Sequence, residues 1–173
     1  MLAGLAVICF DHGRFAQPSN LCVKLKLKQI VEPSPQVSST QRAACPVRVY
    51  YEDTDCGGVV YHTAYLRFME RARTEWLRTL GFEQDKLAKQ HGIVFVVQGI
   101  NVRFQKPAVL DDLLEVTTAV EALGYARVVF AQTVERAGQV LAAAAVTVAC
   151  LELASFKPVP IPTIMRATME SGQ

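Results

Sequence analysis

The groups that chemistry needs are concentrated in residues 52–62, EDTDCGGVVYH. Three acids, a thiol, two glycines and an imidazole stand close together there. Asp55 is the acid nearest the glycines. A carboxylate at that place can attack an activated carbonyl carbon, or take a proton from a water that does. Main-chain amides between Gly57 and His62, at the positive end of a following helix, can hold the charge that develops on the carbonyl oxygen. Removing one such donor typically raises a barrier by about 3–4 kcal/mol. Gly58, Val59, Val60 and Tyr61 are the expected substrate-contacting positions, with packing beside the helix start as the plainer role of Tyr61. The plainer reading of Asp55 is a turn acid that bonds its own backbone. That of His62 is a helix-start histidine bonded to the main chain, against a role in holding substrate or steadying Asp55. Spacing leaves both pairs of readings open. Glu52 and Asp53 read as solvated or capping acids. Cys56 is a rival nucleophile, but a thiol needs an activating neighbour, and its neighbour here is an acid.

A strand must deliver this loop and a helix must receive it. Val47, Val49 and Tyr51 alternate with Arg48 and Tyr50, the period of a half-buried strand. The acids after Tyr51 end it, because short polar side chains compete for backbone hydrogen bonds. Gly57-Gly58 turns the chain. Tyr65, Met69, Ala72, Trp76 and Leu80 then recur every three or four residues, widened by Leu66 and Leu77, which predicts a long amphipathic helix. Thr63 is its expected N-cap, and Gly81 followed by Phe82 its expected C-terminal stop. Arg71 and Glu75, one turn apart, are expected to pair.

Glu83–His91 predicts a second, short helix stopped by Gly92. Ile93–Val97 followed by alternating Ile100, Val102 and Phe104 predicts one long strand bent near Gly99. Leu114–Val120 and Val128–Val134 alternate as two more strands, separated by a turn at Gly124. Ala137-Gly138 leads into Val140–Leu151, an apolar strand expected to be central, with alanines leaving room for the long helix. Pro158, Pro160 and Pro162 predict a tail, 161–173, with little regular structure. Strand, long helix, short helix and four consecutive antiparallel strands make an α+β architecture.

With 173 residues, 51% of them hydrophobic, the chain can bury a core for one domain. A net charge of +2 with interspersed signs offers no basic track for nucleic acid. The odd count of five cysteines, Cys9, Cys22, Cys45, Cys56 and Cys150, without a C-x-x-C, argues for reduced thiols rather than a disulfide frame or a metal site. Met1–Phe10 is apolar but too short to span a bilayer and lacks a basic leader. No transmembrane or secretory segment is expected. Glu32–Arg42 has linker composition. The expected division is an N-terminal extension over 1–45, a domain over 46–160 and the tail.

Residues 49–73, VYYEDTDCGGVVYHTAYLRFMERAR, and residues 95–116, FVVQGINVRFQKPAVLDDLLEV, resemble the hotdog-fold acyl-CoA thioesterases, in particular the YbgC type associated with the Tol–Pal envelope system. The resemblance covers roughly residues 46–160 and fades in the last strands. It implies a curved antiparallel sheet wrapped around one long central helix. It also implies homotetramers built as dimers of dimers, with sites at the subunit interface. It implies hydrolysis of acyl-CoA with no metal and no organic cofactor, in the cytoplasm or peripherally at the inner membrane, and an acyl carrier protein as an alternative carrier. Asp55 matches the family's catalytic carboxylate and His62 the histidine of its VYH motif. The extension and Cys56, where relatives carry small or unreactive residues, depart from the pattern. Arg103, Lys106 and Arg127 are the basic residues considered for the phosphates of coenzyme A. A non-catalytic acyl-CoA or acyl-carrier-binding partner of an envelope complex is the rival from another class. A hydratase on the same fold is the rival among enzymes.

Overall fold

Backbone pairing across long sequence separations creates the frame. In the computed structural model, which describes residues 43–171, β1 spans Ala43–Arg48, β2 Ile93–Phe104, β3 Leu113–Leu123, β4 Arg127–Arg136 and β5 Gln139–Glu152. They form one antiparallel sheet in the order β1-β3-β4-β5-β2. The readings of Met1–Phe10, of Glu32–Arg42 and of Cys9 and Cys22 lie outside the described residues. β1 pairs from Ala43 onward, three residues ahead of the expected domain start at Pro46. Its ladder stops at Arg48 rather than Tyr51, although Val49 still exchanges main-chain bonds with Asp111 and Asp112. Tyr51–Asp53 instead close a 3-10 turn, because the Asp53 carboxylate accepts the Tyr50 amide at 3.1 Å.

The long helix, α1, runs His62–Thr79, and its backbone lies nearest β1, β3 and β4. The expected stripe is buried at Tyr65, Met69, Ala72 and Trp76, with Ala64, Phe68 and Leu77 beside it. Trp76 meets Phe130 of β4 edge-on at 5.4 Å between ring centres. The alanines of β5 are therefore not where α1 comes closest, as the sequence pattern suggested. Glu75 pairs with Arg78 rather than Arg71. Thr63 is not the cap: the cap position lies two residues earlier, at Tyr61, with the helix beginning at His62, and among the described residues no side chain caps it. The C-terminus is as expected. The Phe82 amide reaches Leu77 O at 3.0 Å and the Gly81 amide reaches Arg78 O at 2.9 Å, with Gly81 at φ +86. The short helix α2 spans Gln84–His91. β2 shifts register between Val97 and Gly99, the expected bend.

The tail differs from expectation. Thr163–Ser171 is a helix, α3. Its opening bond runs from the Arg166 amide to Pro162 O at 2.9 Å, and Ile161, Met165 and Met169 are buried at four-residue spacing. Pro162 stands just ahead of the helix, where its missing N–H costs nothing. Proline density concealed an apolar stripe.

Replacing Gly81 by alanine meets no steric clash, since among the described residues no atom beyond its chain neighbours lies within 4 Å of the added carbon. It does force a left-handed backbone on a residue with a side chain, at about 1–2 kcal/mol. Gly81→Ala is expected to lower the urea midpoint with an unchanged slope.

Candidate active site

Residues 53–61 form a tight, internally bonded loop between the 3-10 turn and α1. The Tyr61 amide donates to Asp53 O at 2.8 Å, the Asp55 amide to Val59 O at 3.0 Å and the Gly58 amide to Asp55 O at 3.0 Å. A second set of bonds fastens the loop to the segment after β2. The Val60 amide donates to Ala108 O at 2.8 Å, and Val59 bridges Val109. The Ala108 amide in turn donates to the phenol oxygen of Tyr65 at 2.8 Å. Burial pushes the Tyr65 phenol up from its ordinary pKa, so this oxygen stays a neutral acceptor. Asp112 holds the same segment by accepting the Val109 amide at 2.8 Å and Arg136 at 2.5 Å.

Asp53 is the anchor of the loop. Only 5% of it is exposed, so it is a capping acid but not a solvated one. One carboxylate oxygen accepts the Tyr50 amide at 3.1 Å and the other accepts Arg67 Nη2 at 2.8 Å. Both the turn before the loop and the helix after it are thus tied to one buried charge.

Asp55 is exposed, and its Oδ1 accepts the Gly57 amide at 2.7 Å. This is the turn-acid geometry of the plainer reading. It occupies one oxygen only; among the described residues no protein donor lies on Oδ2. Gly57 is needed for this close approach, because a Cβ there would stand 3.0 Å from Oδ1. The loop's own bonds use the amides of Asp55, Gly57, Gly58 and Tyr61, and the Val60 amide is taken by Ala108. Among the described residues no acceptor lies on the amides of Val59 and His62. The His62 amide opens α1, where the helix dipole adds to its positive character.

His62 is half-buried, its ring 4.3 Å from that of Tyr61 and 6.5 Å from that of Phe104. Among the described residues no hydrogen bond joins it to Asp55. The Val60 side chain is buried in the core, so only its main chain is presented to the loop, whereas Tyr61 is exposed. Cys56 is an exposed free thiol. Arg103 and Lys106 lie at the Phe104 end of β2, next to the Ala108 contact. Arg127 does not join them: it pairs Ala149, whereas Phe104 pairs Ala142. Seven residues of β5 place it roughly 23 Å away at strand rise. Among the described residues no three His, Cys, Asp or Glu side chains converge as metal ligands, and no helix is long and apolar enough to cross a membrane.

Residues 57–143 match the family described as Thioesterase superfamily, a span that begins two residues after Asp55. The acyl-CoA thioesterase YbgC of Haemophilus influenzae is 49% identical over 122 residues, covering 70% of this chain and 90% of that protein. The chain belongs to the thioesterase superfamily. Among other members, the long-chain acyl-CoA thioesterase FadM of Escherichia coli is 35% identical over 64% of this chain and 84% of its own length. A probable thioesterase from Bartonella henselae superposes with a TM-score of 0.67 at 37% identity, covering 70% of this chain and 99% of that structure. The sheet and helix described above are this superfamily's hotdog fold. Residues 53–61 form a loop ahead of the helix, as the composition of 52–62 suggested, but its supports come from distant residues. Nothing in the spacing linked Asp53 to Arg67, or Asp112 to Arg136 and the Ala108 segment.

Asp53→Ala removes a buried, charge-assisted pair of bonds. It is expected to cost about 1.5–3 kcal/mol in urea unfolding, whereas Glu52→Ala, on an exposed side chain, should leave the midpoint near that of the parent.

Proposed function

We propose that this protein hydrolyses acyl-CoA thioesters to a free acid and coenzyme A. One observation carries the reading: among the described residues Asp55 keeps a carboxylate oxygen free of protein donors, on a loop that leads into a helix start with no side-chain cap. The names of the YbgC relatives support it. The thioester carbonyl oxygen lies against the amides of His62 and Val59, which polarise it and hold the negative charge as the carbonyl is attacked. Asp55 either attacks the carbonyl carbon, giving an anhydride that water then opens, or deprotonates the attacking water. Both routes break the carbon–sulfur bond and release the thiol. Gly58, Val59 and Tyr61 border the thioester, Val60 contributes through its backbone, and His62 orients the acyl group. No metal or organic cofactor takes part. Arg103 and Lys106 serve the coenzyme A phosphates better than the distant Arg127.

A homotetramer, as a dimer of dimers, completes the site. The support is the sheet edge at β2, which leaves Val96, Val97, Ile100 and Phe104 between 38% and 42% exposed, an apolar edge that a second copy would cover. The protein works in the cytoplasm or at the inner membrane face, beside the Tol–Pal system, on coenzyme A or acyl-carrier thioesters. A binder without turnover is the second reading, and the Asp55–Gly57 bond favours it, because a turn acid needs no chemistry.

Asp55→Asn keeps an oxygen for the Gly57 amide and so should fold as the parent does. Thiol release across a panel of acyl-CoA chain lengths is expected to fall by about 10²-fold or more. Full activity in the folded variant would remove Asp55 from the chemistry, and tight binding of every chain length without turnover by the parent would establish the binder. Gly57→Ala is expected to cost roughly 10–100-fold in kcat/KM by displacing the carboxylate, with little change in melting. In sedimentation, a fully active monomer would contradict the assembly.

A further inference from the structure

A second feature lies well away from the Asp55 loop. Arg73 is a charged residue on the core side of α1, with only 7% of its surface exposed. Its Nη1 donates to Gln132 Oε1 at 2.6 Å. Gln132, itself 2% exposed, passes the contact on, its Nε2 donating to Met69 O at 3.0 Å and to Thr118 Oγ1 at 2.8 Å. A guanidinium carries five N–H donors and a full positive charge. Here a neutral amide oxygen is its hydrogen-bond partner, and among the described residues no carboxylate lies within ion-pair distance of it. Burial pulls its pKa below the ordinary arginine value, and Glu70 opposes that shift. Unpaired buried charges are strongly unfavourable, so such a group is expected to meet a counter-charge.

The remaining N–H groups of Arg73 are not sealed in the core. Among the described residues no fully buried side-chain nitrogen or oxygen lacks a partner, so these donors border open space. That space is a cavity of about 80 Å³ to which Arg73, Leu77, Phe95, Phe130, Val148 and Met169 contribute walls. Several water volumes fit there. The rim is polar: Gln84 Nε2 donates to Thr74 Oγ1, which donates to Glu70 Oε1, each at 2.9 Å. Glu70 is exposed, so its charge is solvated at the mouth. Nothing from residues 52–62 lines the cavity. Arg73 stands eleven residues into α1 from His62, about 16 Å along the axis at helical rise.

We infer that this cavity is a binding site for a small free carboxylic acid, distinct from the Asp55 site. The planar fork of the guanidinium matches a carboxylate, and the apolar walls match a short aliphatic or single-ring body. A phosphate dianion fits less well, because it brings two charges against one cation and has no apolar part. The acid replaces the missing counter-ion of Arg73, and its body displaces water from Phe95, Phe130 and Val148. The inference does not depend on the hydrolytic reading, since it concerns other residues and is tested by binding.

The test is calorimetric titration of the full-length protein with sodium benzoate and sodium butyrate. Benzyl alcohol, butanol and inorganic phosphate are the controls. The expected result is one saturable site per chain for an acid, with the matching alcohol and phosphate at least tenfold weaker. Arg73→Met should weaken acid binding at least tenfold, and Arg73→Lys, which keeps the charge without the fork, should weaken it to an intermediate degree. Asp55→Asn should bind the acid as the parent does. Equal affinity for acid and alcohol, or no saturable binding, overturns the inference in the parent protein alone, whether or not the Arg73 variants fold. Binding that survives Arg73→Met but is lost in Asp55→Asn also overturns it, by placing the acid in the Asp55 site while leaving the hydrolytic reading intact.

Discussion

The buried carboxylate of Asp53 is the constraint on which the loop depends. Its two oxygens hold the Tyr50 amide and the Arg67 guanidinium, and its carbonyl holds the Tyr61 amide. One residue therefore sets where the chain leaves the sheet, how it turns and where α1 begins. A charge this enclosed is tolerated because each oxygen has a donor and one donor is a cation. The fixed loop then leaves the carboxylate of Asp55 with a single bond among the described residues. Two aspartates two positions apart are thereby divided between anchorage and exposure.

The second fastening works at longer range. Ala108 accepts the Val60 amide and donates to the Tyr65 phenol, so the loop and the buried face of α1 meet at one residue of the segment after β2. Asp112 and Arg136 hold that segment from the sheet. The loop is thus fixed from the helix, from the β2 end and from β4, so that its local sequence need not be strongly structured by itself. Preorganised main-chain donors act only when such supports are rigid.

Much of this was legible in the residues themselves. The 3.6-residue stripe from Tyr65 to Trp76, the Gly81 stop, the bend near Gly99 and the alternation of β4 are local properties, and the structure has them. The misreadings arose where a distant partner decided. Tyr51 alternates like a strand residue, but the Asp53 carboxylate folds that stretch into a turn. Thr63 is a good capping residue by type, yet the loop bonds bring the helix start to His62. Three prolines hid α3, whose stability comes from burying Met165 and Met169 against the sheet domain. Nothing local marked Arg73 as buried: it is the second arginine of ERAR, and its partner Gln132 lies on a distant strand.

The missing cap on α1 has a thermodynamic corollary. The first amides of a helix are ordinarily satisfied by a side chain, and leaving them to solvent weakens the first turn. Whatever anion or carbonyl oxygen occupies the helix start supplies the absent cap, so ligation and the ordering of that turn are one coupled equilibrium. On the proposed reading, occupancy should slow amide exchange at His62, while Ala64, whose amide already bonds Tyr61 O, and the Leu77–Phe82 end, closed by its own bonds, keep their protection.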